Sequence, residues 1–474
     1  MLKNIFAHAS IFREVFTFRG MALGFMSALI LSLFSGIMAF LFIPVIILYL
    51  VVLDKTEIIL MLIVFSFLAV TRNISSELRD VLQYMNILLL FLLLVKKHLK
   101  KELTLPDMPK ELYVFLGVYI SALLIASVFA GQVFTGLDHI FRQVIFLGMF
   151  YAIFLLIENR QAAYYPAYGI IAAALFQGVI TIYSLYQVNF DLTQFGADYF
   201  LSLSADLTLN KNTIGIYLLY GLILSAVLFR FRESFIYKSL ITGIIFILLI
   251  GMILINSRAV LLALAVSFLF LLYKLKVKYF YYSLTGLLIL VAMVFLPPFN
   301  EFFELYFRVE ELFGQRDIIT QSSWSLIQNE WLMGTGPGGT KALIYKYIPF
   351  MLGSPEEMWI RHHFYQIEYG HAHNYFLFML SDLGVLGLAA SLILCYAYIK
   401  IGLTVMAAYK QIEPNLYFFS AALLSLGIGM FVRGFFEWGG ILGYGMINTD
   451  LPFWTGFAIL IYLHTLQIHS TKSA

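Results

Sequence analysis

Charge is what this chain of 474 residues has least of: Asp, Glu, Lys and Arg together make up 12% of it, against 61% hydrophobic residues. The formal net charge of +3 comes from basic residues that flank apolar runs, so it gives no footing for a nucleic-acid partner. There is one cysteine, Cys395, inside an apolar run, and no intrachain disulfide can form. The alternating ten-residue segments of a membrane β-barrel are absent. So is a small-residue cleavage site after the N-terminal Lys3, Arg13 and Arg19, and that end reads as a retained anchor. No internal repeat stands out, which argues against a transporter built from inverted repeats.

What is present is apolar sequence, with a mean hydropathy of +0.89. Runs of about 17 to 25 residues poor in charge recur along the whole length, the span a helix needs to cross a bilayer. They predict an all-α, polytopic membrane helix bundle of about twelve to fourteen transmembrane helices, forming a single membrane domain over 1–474. The first run, Met21 to Leu53, is too long for one helix and is expected to turn at Ser35-Gly36. Further spans are expected near 56–71, 79–95, 111–130, 138–157, 162–187, 211–229, 235–256, 258–273, 279–297, 373–399, 415–432 and 450–466. Lys96, Lys97, Lys100, Lys101 and Lys110 share one short loop, Arg230, Arg232 and Lys238 a second, and Lys274, Lys276 and Lys278 a third. The positive-inside rule puts those loops and both termini in the cytoplasm, and the long segment 298–372 outside.

That outer loop has patterning of its own. Phe299, Phe302, Phe303, Tyr306 and Phe307 recur at helical spacing among Glu301, Glu304, Glu310 and Glu311, predicting a helix on the membrane surface or capping the bundle. A second helix is predicted from Arg316 through Trp324 to Glu330. The run Gly334-Thr335-Gly336-Pro337-Gly338-Gly339 then reads as an irregular turn. As a phosphate loop it lacks both a preceding strand and a following Gly-Lys-Ser/Thr.

The ionisable groups near the outer face are the candidates for chemistry. His371-Ala372-His373-Asn374 lies where the polar loop gives way to an apolar helix. Histidine is the side chain whose unperturbed titration range lets it serve as a base near neutrality. His373 precedes the run Tyr375-Phe376-Leu377-Phe378 and so sits at a helix N-terminus, whose positive end disfavours imidazolium. His362, His363, His371 and His373 invite a metal reading, but His-x-His does not put both rings on one helical face and no carboxylate completes a set. Arg258 is either a snorkelling anchor or an anion contact whose guanidinium fork fits phosphate oxygens. Arg316 opens the loop helix and reads as surface or anion-binding. Arg433 stands four residues before Glu437 and Arg142 four after Asp138, the spacing of intrahelical pairs.

In order along the chain, Asn210-Lys211-Asn212, Asn256-Ser257-Arg258, Gly314-Gln315-Arg316-Asp317, Trp324, the glycine-rich turn, His373-Asn374-Tyr375 and Asp382-Leu383-Gly384-Val385-Leu386-Gly387 resemble the O-antigen ligase and polymerase family. The resemblance covers roughly residues 200 to 400 by motif and is architectural elsewhere. It implies a GT-C-like, inverting membrane glycosyltransferase of the bacterial inner membrane, with its site facing outward and with neither metal nor cofactor. The donor it implies is an undecaprenyl-diphosphate-linked glycan. The implied product is an O-antigen or other surface polysaccharide, extended by a polymerase. The alternative is a ligase that attaches the glycan to a lipid A core sugar or a protein. Partners would be the lipid-linked donor, a glycan or lipid-core acceptor, membrane lipid and a chain-length regulator protein. His373 would be the catalytic base, Arg258 and Arg316 would hold the diphosphate, and Asn374, Arg433, Glu437 and His371 would support them. Metal-using oligosaccharyltransferases carry an acidic motif in a first outer loop, which here is Ser35-Gly36. A lipid-linked glycan flippase would place its key charges within the spans, and these spans are expected to be nearly charge-free.

Overall fold

The computed structural model describes residues 55–69, 76–103, 107–130, 133–187, 210–231, 234–293, 295–297, 316–366, 372–444 and 446–472, with Ile47 and Leu50 as single positions. These residues form helices and connecting turns: α1 (Thr56–Leu68), α2 (Ser76–Leu99), α3 (Lys110–Phe129), α4 (Val133–Leu156), α5 (Tyr164–Gln187), α6 (Lys211–Phe231), α7 (Phe235–Ile255), α8 (Arg258–Leu275), α9 (Val277–Met293), α10 (Arg316–Glu330), α11 (Thr340–Leu343), α12 (Pro355–Gln366), α13 (Tyr375–Tyr409), α14 (Pro414–Arg433) and α15 (Ile447–Lys472). Among them eight are long and apolar enough to cross a bilayer: α3 to α8, α13 and α14. α1 and α9 are shorter apolar helices. The expected Met21–Leu53 run lies almost wholly outside the described residues, as does the aromatic helix expected near 299–307. The chain is a polytopic all-α membrane protein.

The helices gather into two compact units. In the first, α5 packs on α1, α6 and α7, and α6 on α7. Small residues set these approaches: a Cβ on Gly169 would lie 2.5 Å from Met61 O, and one on Gly221 2.5 Å from Ala174 Cβ. In a bundle with no water to squeeze out, close backbone approach supplies the dispersion contact that holds helices together. Inside the unit, Asn86 Nδ2 donates to Ser66 Oγ at 2.9 Å.

The second unit contains α3, most of α4, and α8 to α15. Its centre is aromatic. Trp454, fully buried, meets Phe115, Phe146, Phe150, Phe453 and Phe457, with ring centroids 4.9 to 6.1 Å apart. Tyr398 stacks on Phe453 and Phe457, and its hydroxyl donates to Leu423 O at 2.9 Å, so burying it leaves no orphan donor. α8 and α14 run antiparallel in close register: Ser267 Oγ donates to Ser425 O at 2.9 Å, Tyr417 Oη to Lys274 O at 3.4 Å, and Gly429 faces Ala263. Continued to the end of α8, that register sets Arg258 level with Gly434.

The loop segment folds around its own small core of Ile319, Leu326, Ile344 and Ile360. α10 has the bounds the sequence predicts, Arg316–Glu330. Arg142 pairs with Asp138 at 2.9 Å, as their spacing predicts.

Two expectations need correction. The span expected over 373–399 runs on to Tyr409 and is broken at Gly384, whose φ of 63° and ψ of −159° are not helical. The spans also hold more charge than expected, since Asp382 and Asp450 are fully buried inside α13 and α15. Neighbouring loops aim backbone N–H groups at both carboxylates, and that lets an apolar bundle hold them.

Candidate functional site

The start of α13 carries the most constrained geometry in the second unit. Asn374 caps the helix, its Oδ1 accepting from Phe376 N at 2.9 Å and Leu377 N at 3.0 Å. Its Nδ2 donates to Phe435 O at 3.1 Å, and Tyr375 N donates to Gly434 O at 2.7 Å. These bonds fasten the N-terminus of α13 to the turn that leaves α14. His373, one residue before the cap, takes a φ of 49°, a left-handed conformation rare for a side chain of its size.

In that conformation His373 Nδ1 lies 3.3 Å from Glu437 Oε2. The Glu437 side chain is 4% exposed and that of His373 21%. A carboxylate accepting from Nδ1–H fixes the tautomer and leaves Nε2 as the acceptor nitrogen. Glu437 is itself held from behind: its N–H donates to Arg433 O at 2.9 Å, and the buried Arg433 guanidinium donates through Nη1 to Gly439 O.

Arg258 is half-buried and is the first residue of α8, after Ser257 and after Asn256, whose φ is 49°. A cation at a helix N-terminus is opposed by the helix dipole, so a lipid anchor gains little there, whereas guanidinium and helix end together attract an anion. Because α8 and α14 are antiparallel, Arg258 lies at the same end of the pair as Gly434, onto which α13 is fastened. Arg316 likewise opens α10, but its side chain, like all of His371, lies outside the described residues. The first amides of α13 are taken by Asn374 and Gly434, so that helix end offers little to a ligand anion.

The glycine-rich turn is a structural clasp. Asp382 accepts from Gly338 N at 2.8 Å, Thr340 N at 3.3 Å, Thr335 Oγ1 at 3.4 Å, Thr340 Oγ1, and Tyr444 Oη at 3.0 Å. Thr335 N and Gly336 N donate to Ser381 O and Asp382 O, each at 2.9 Å. The amides a phosphate would need are therefore taken by the Asp382 carboxylate and by backbone carbonyls. Gly334, with φ 75°, and Gly384 press together: a Cβ on Gly334 would lie 2.5 Å from Gly384 N, and one on Gly384 2.3 Å from Leu332 O. Sequence reading placed Asp382 in a motif without giving it a role, because its donors lie 42 to 62 residues away.

The fold and this end of the second unit define a polytopic membrane protein with ionisable groups clustered where its helices begin and end. The family model described as O-antigen ligase matches residues 243–392, a stretch holding Arg258, Arg316, the glycine-rich turn, His373 and Asp382. Over that stretch the chain is similar to the O-antigen ligase family, in line with the resemblance its motifs carry. No curated protein matches it.

Proposed function

We propose that this protein is an outward-facing, inverting glycosyltransferase. It would transfer a glycan from a polyprenyl diphosphate, undecaprenyl in a bacterial inner membrane, to an acceptor hydroxyl, most simply as a polymerase of surface polysaccharide. A ligase would use the same donor grip and base with a different acceptor.

The observation that carries the reading is the 3.3 Å approach of His373 Nδ1 to Glu437. Oriented in this way, Nε2 takes the acceptor's proton as its oxygen attacks the anomeric carbon from the face opposite the leaving group. The bond from that carbon to the diphosphate oxygen breaks, and the lipid diphosphate leaves with the electron pair. Arg258, with Arg316, stabilises the negative charge gathering on it. Glu437 steadies the ring while it holds the proton. The family match over the segment holding Arg258, Arg316 and His373 supports the reading.

The experiment is a turnover assay with purified protein and a polyprenyl-diphosphate-linked oligosaccharide. Transfer with inversion at the anomeric carbon is expected. Movement of the intact lipid-linked glycan between leaflets of a proteoliposome, without transfer, would instead make the protein a flippase.

A further inference from the structure

One face of α10, continued by Trp331 in the turn that follows the helix, has a composition that the site described above does not use. Asp317, Thr320, Gln321, Trp324, Gln328 and Trp331 are all exposed and follow one another at spacings of one or two helical turns or a short step within a turn. Trp324 and Trp331 are 51% and 52% exposed. Seven residues apart, with Trp331 in the first turn position after the helix, they are separated by a rise of roughly 10 Å if the helical path is continued through it, the scale of a disaccharide, with amides before and between them in sequence. The opposite face holds Ile319, Leu326 and Ile327 in the loop module's interior. The fold of the module therefore needs neither tryptophan.

We propose that this face of α10 is a platform for the saccharide portion of the substrate, a neutral oligosaccharide bound beside the reaction site. The proposal rests on the glycosyltransferase reading above. An indole face packs against the C–H face of a pyranose, and the planar amide and carboxylate groups before and between the indoles supply partners for its hydroxyls. The described side chains of the face carry a single formal charge, on Asp317, and no cation. That charge pattern complements an uncharged polyol and gives an anionic lipid headgroup nothing to bind. The platform is also continuous with the proposed site. α10 packs on α13, Gly334 N donates to Glu330 O at 2.8 Å, and Val385 N donates to Leu332 O at 3.3 Å. The Trp331 end of the face thus runs into the turn clasped by the helix that begins beside His373.

The test uses full-length protein in detergent. The probe is a set of repeat-unit oligomers released from the surface polysaccharide of the source cells. Binding is read by shielding of tryptophan fluorescence from iodide and by calorimetry. Oligomers of two or more repeats should shield the wild-type protein. Trp324→Ala and Trp331→Ala should each weaken binding about tenfold, and Trp→Phe at both sites should keep most of it, which separates stacking from misfolding. His373→Ala should bind the oligomers normally, so loss of transfer and loss of the platform are read independently. Unchanged affinity in both alanine variants would overturn the proposal. So would shielding by nanodiscs of phosphatidylethanolamine and phosphatidylglycerol but not by oligomers, which would make the face an aromatic belt at the membrane surface.

Discussion

Tyr444 donates its hydroxyl proton to Asp382 Oδ2 across 3.0 Å, and Gly338 N reaches the same oxygen at 2.8 Å. One carboxylate inside α13 thereby joins the glycine-rich turn to the segment after α14 that carries Glu437. Burial first, and then the charge of Asp382, pushes the Tyr444 hydroxyl well above its ordinary range, so it remains a donor. The ring is held 5.1 Å from Phe378 and 5.0 Å from His139. The His373–Glu437 pair therefore stands in a frame whose parts come from distant stretches of chain.

Breaking that frame should loosen it without touching a reacting atom. Tyr444→Phe should cost about 1–2 kcal/mol, the worth of one buried hydrogen bond to a carboxylate. Asp382→Asn should cost more, about 2–3 kcal/mol, because an NH2 then faces donors that need an acceptor. Hydrogen exchange at Gly338 and Thr340 should speed up in both variants. Wild-type protection in Asp382→Asn would show that the turn holds itself.

The histidine and its partner make separable predictions. His373→Ala should lose roughly a hundred- to ten-thousand-fold in turnover, the usual worth of general base catalysis. Glu437→Gln keeps the shape and an acceptor oxygen, and should lower kcat while sparing KM for the donor. A Glu437→Gln enzyme as fast as the wild type would remove the dyad and leave His373 acting alone. If His373→Ala is active and Glu437→Gln is not, the base is Glu437.

For the arginines the discriminating change is to lysine. Arg258→Ala and Arg316→Ala should each abolish most transfer with expression intact. Arg→Lys should rescue poorly, since an ammonium cannot offer two parallel donors to a diphosphate. Full activity of both lysine variants would mean that the positions supply diffuse charge and no clamp.

Acid should open the loop module first at α12. The Arg361 guanidinium, and then the Gly353 N–H, hold the Glu357 carboxyl below its ordinary 4.5. A depressed carboxylate contributes stability above the ordinary value and loses it as pH falls through the lowered one. Proteolytic protection of residues 351–366 should therefore persist at neutral pH and fade below about pH 4.5. Glu357→Gln should be nicked there at every pH, and a pH-independent wild type would discount the pair.

How much was legible varies with the range of the interaction. The end of α10 at Glu330 is legible because its periodicity and its glycine-rich stop are local signals. The helix start beside His373 is legible for the same reason, because the apolar run from Tyr375 follows at once; that Asn374 caps it, accepting from the amides two and three residues on, is what the structure adds. The break at Gly384 is not legible, since glycine occurs in membrane helices without breaking them. What decides the matter is the backbone of residues 332–334 lying against it. Arg433 and Glu437 read in sequence as an intrahelical pair; what the sequence does not show is that the guanidinium also reaches the Gly439 carbonyl and that Glu437 also reaches the imidazole of His373.

By itself the sequence determined that the protein is a polytopic helical membrane protein and where its long apolar helices run among the described residues, because hydropathy and helix period act over a few residues. Tertiary structure alone decided that His373 has a carboxylate for a partner 64 residues away. It alone decided that the glycine-rich turn is filled by Asp382, and that Arg258 shares an end of its helix pair with the start of α13. The reason is physical: a hydrogen bond between distant segments depends on the register in which helices pack. That register is set by interlocking small and aromatic side chains along the whole length of the helices.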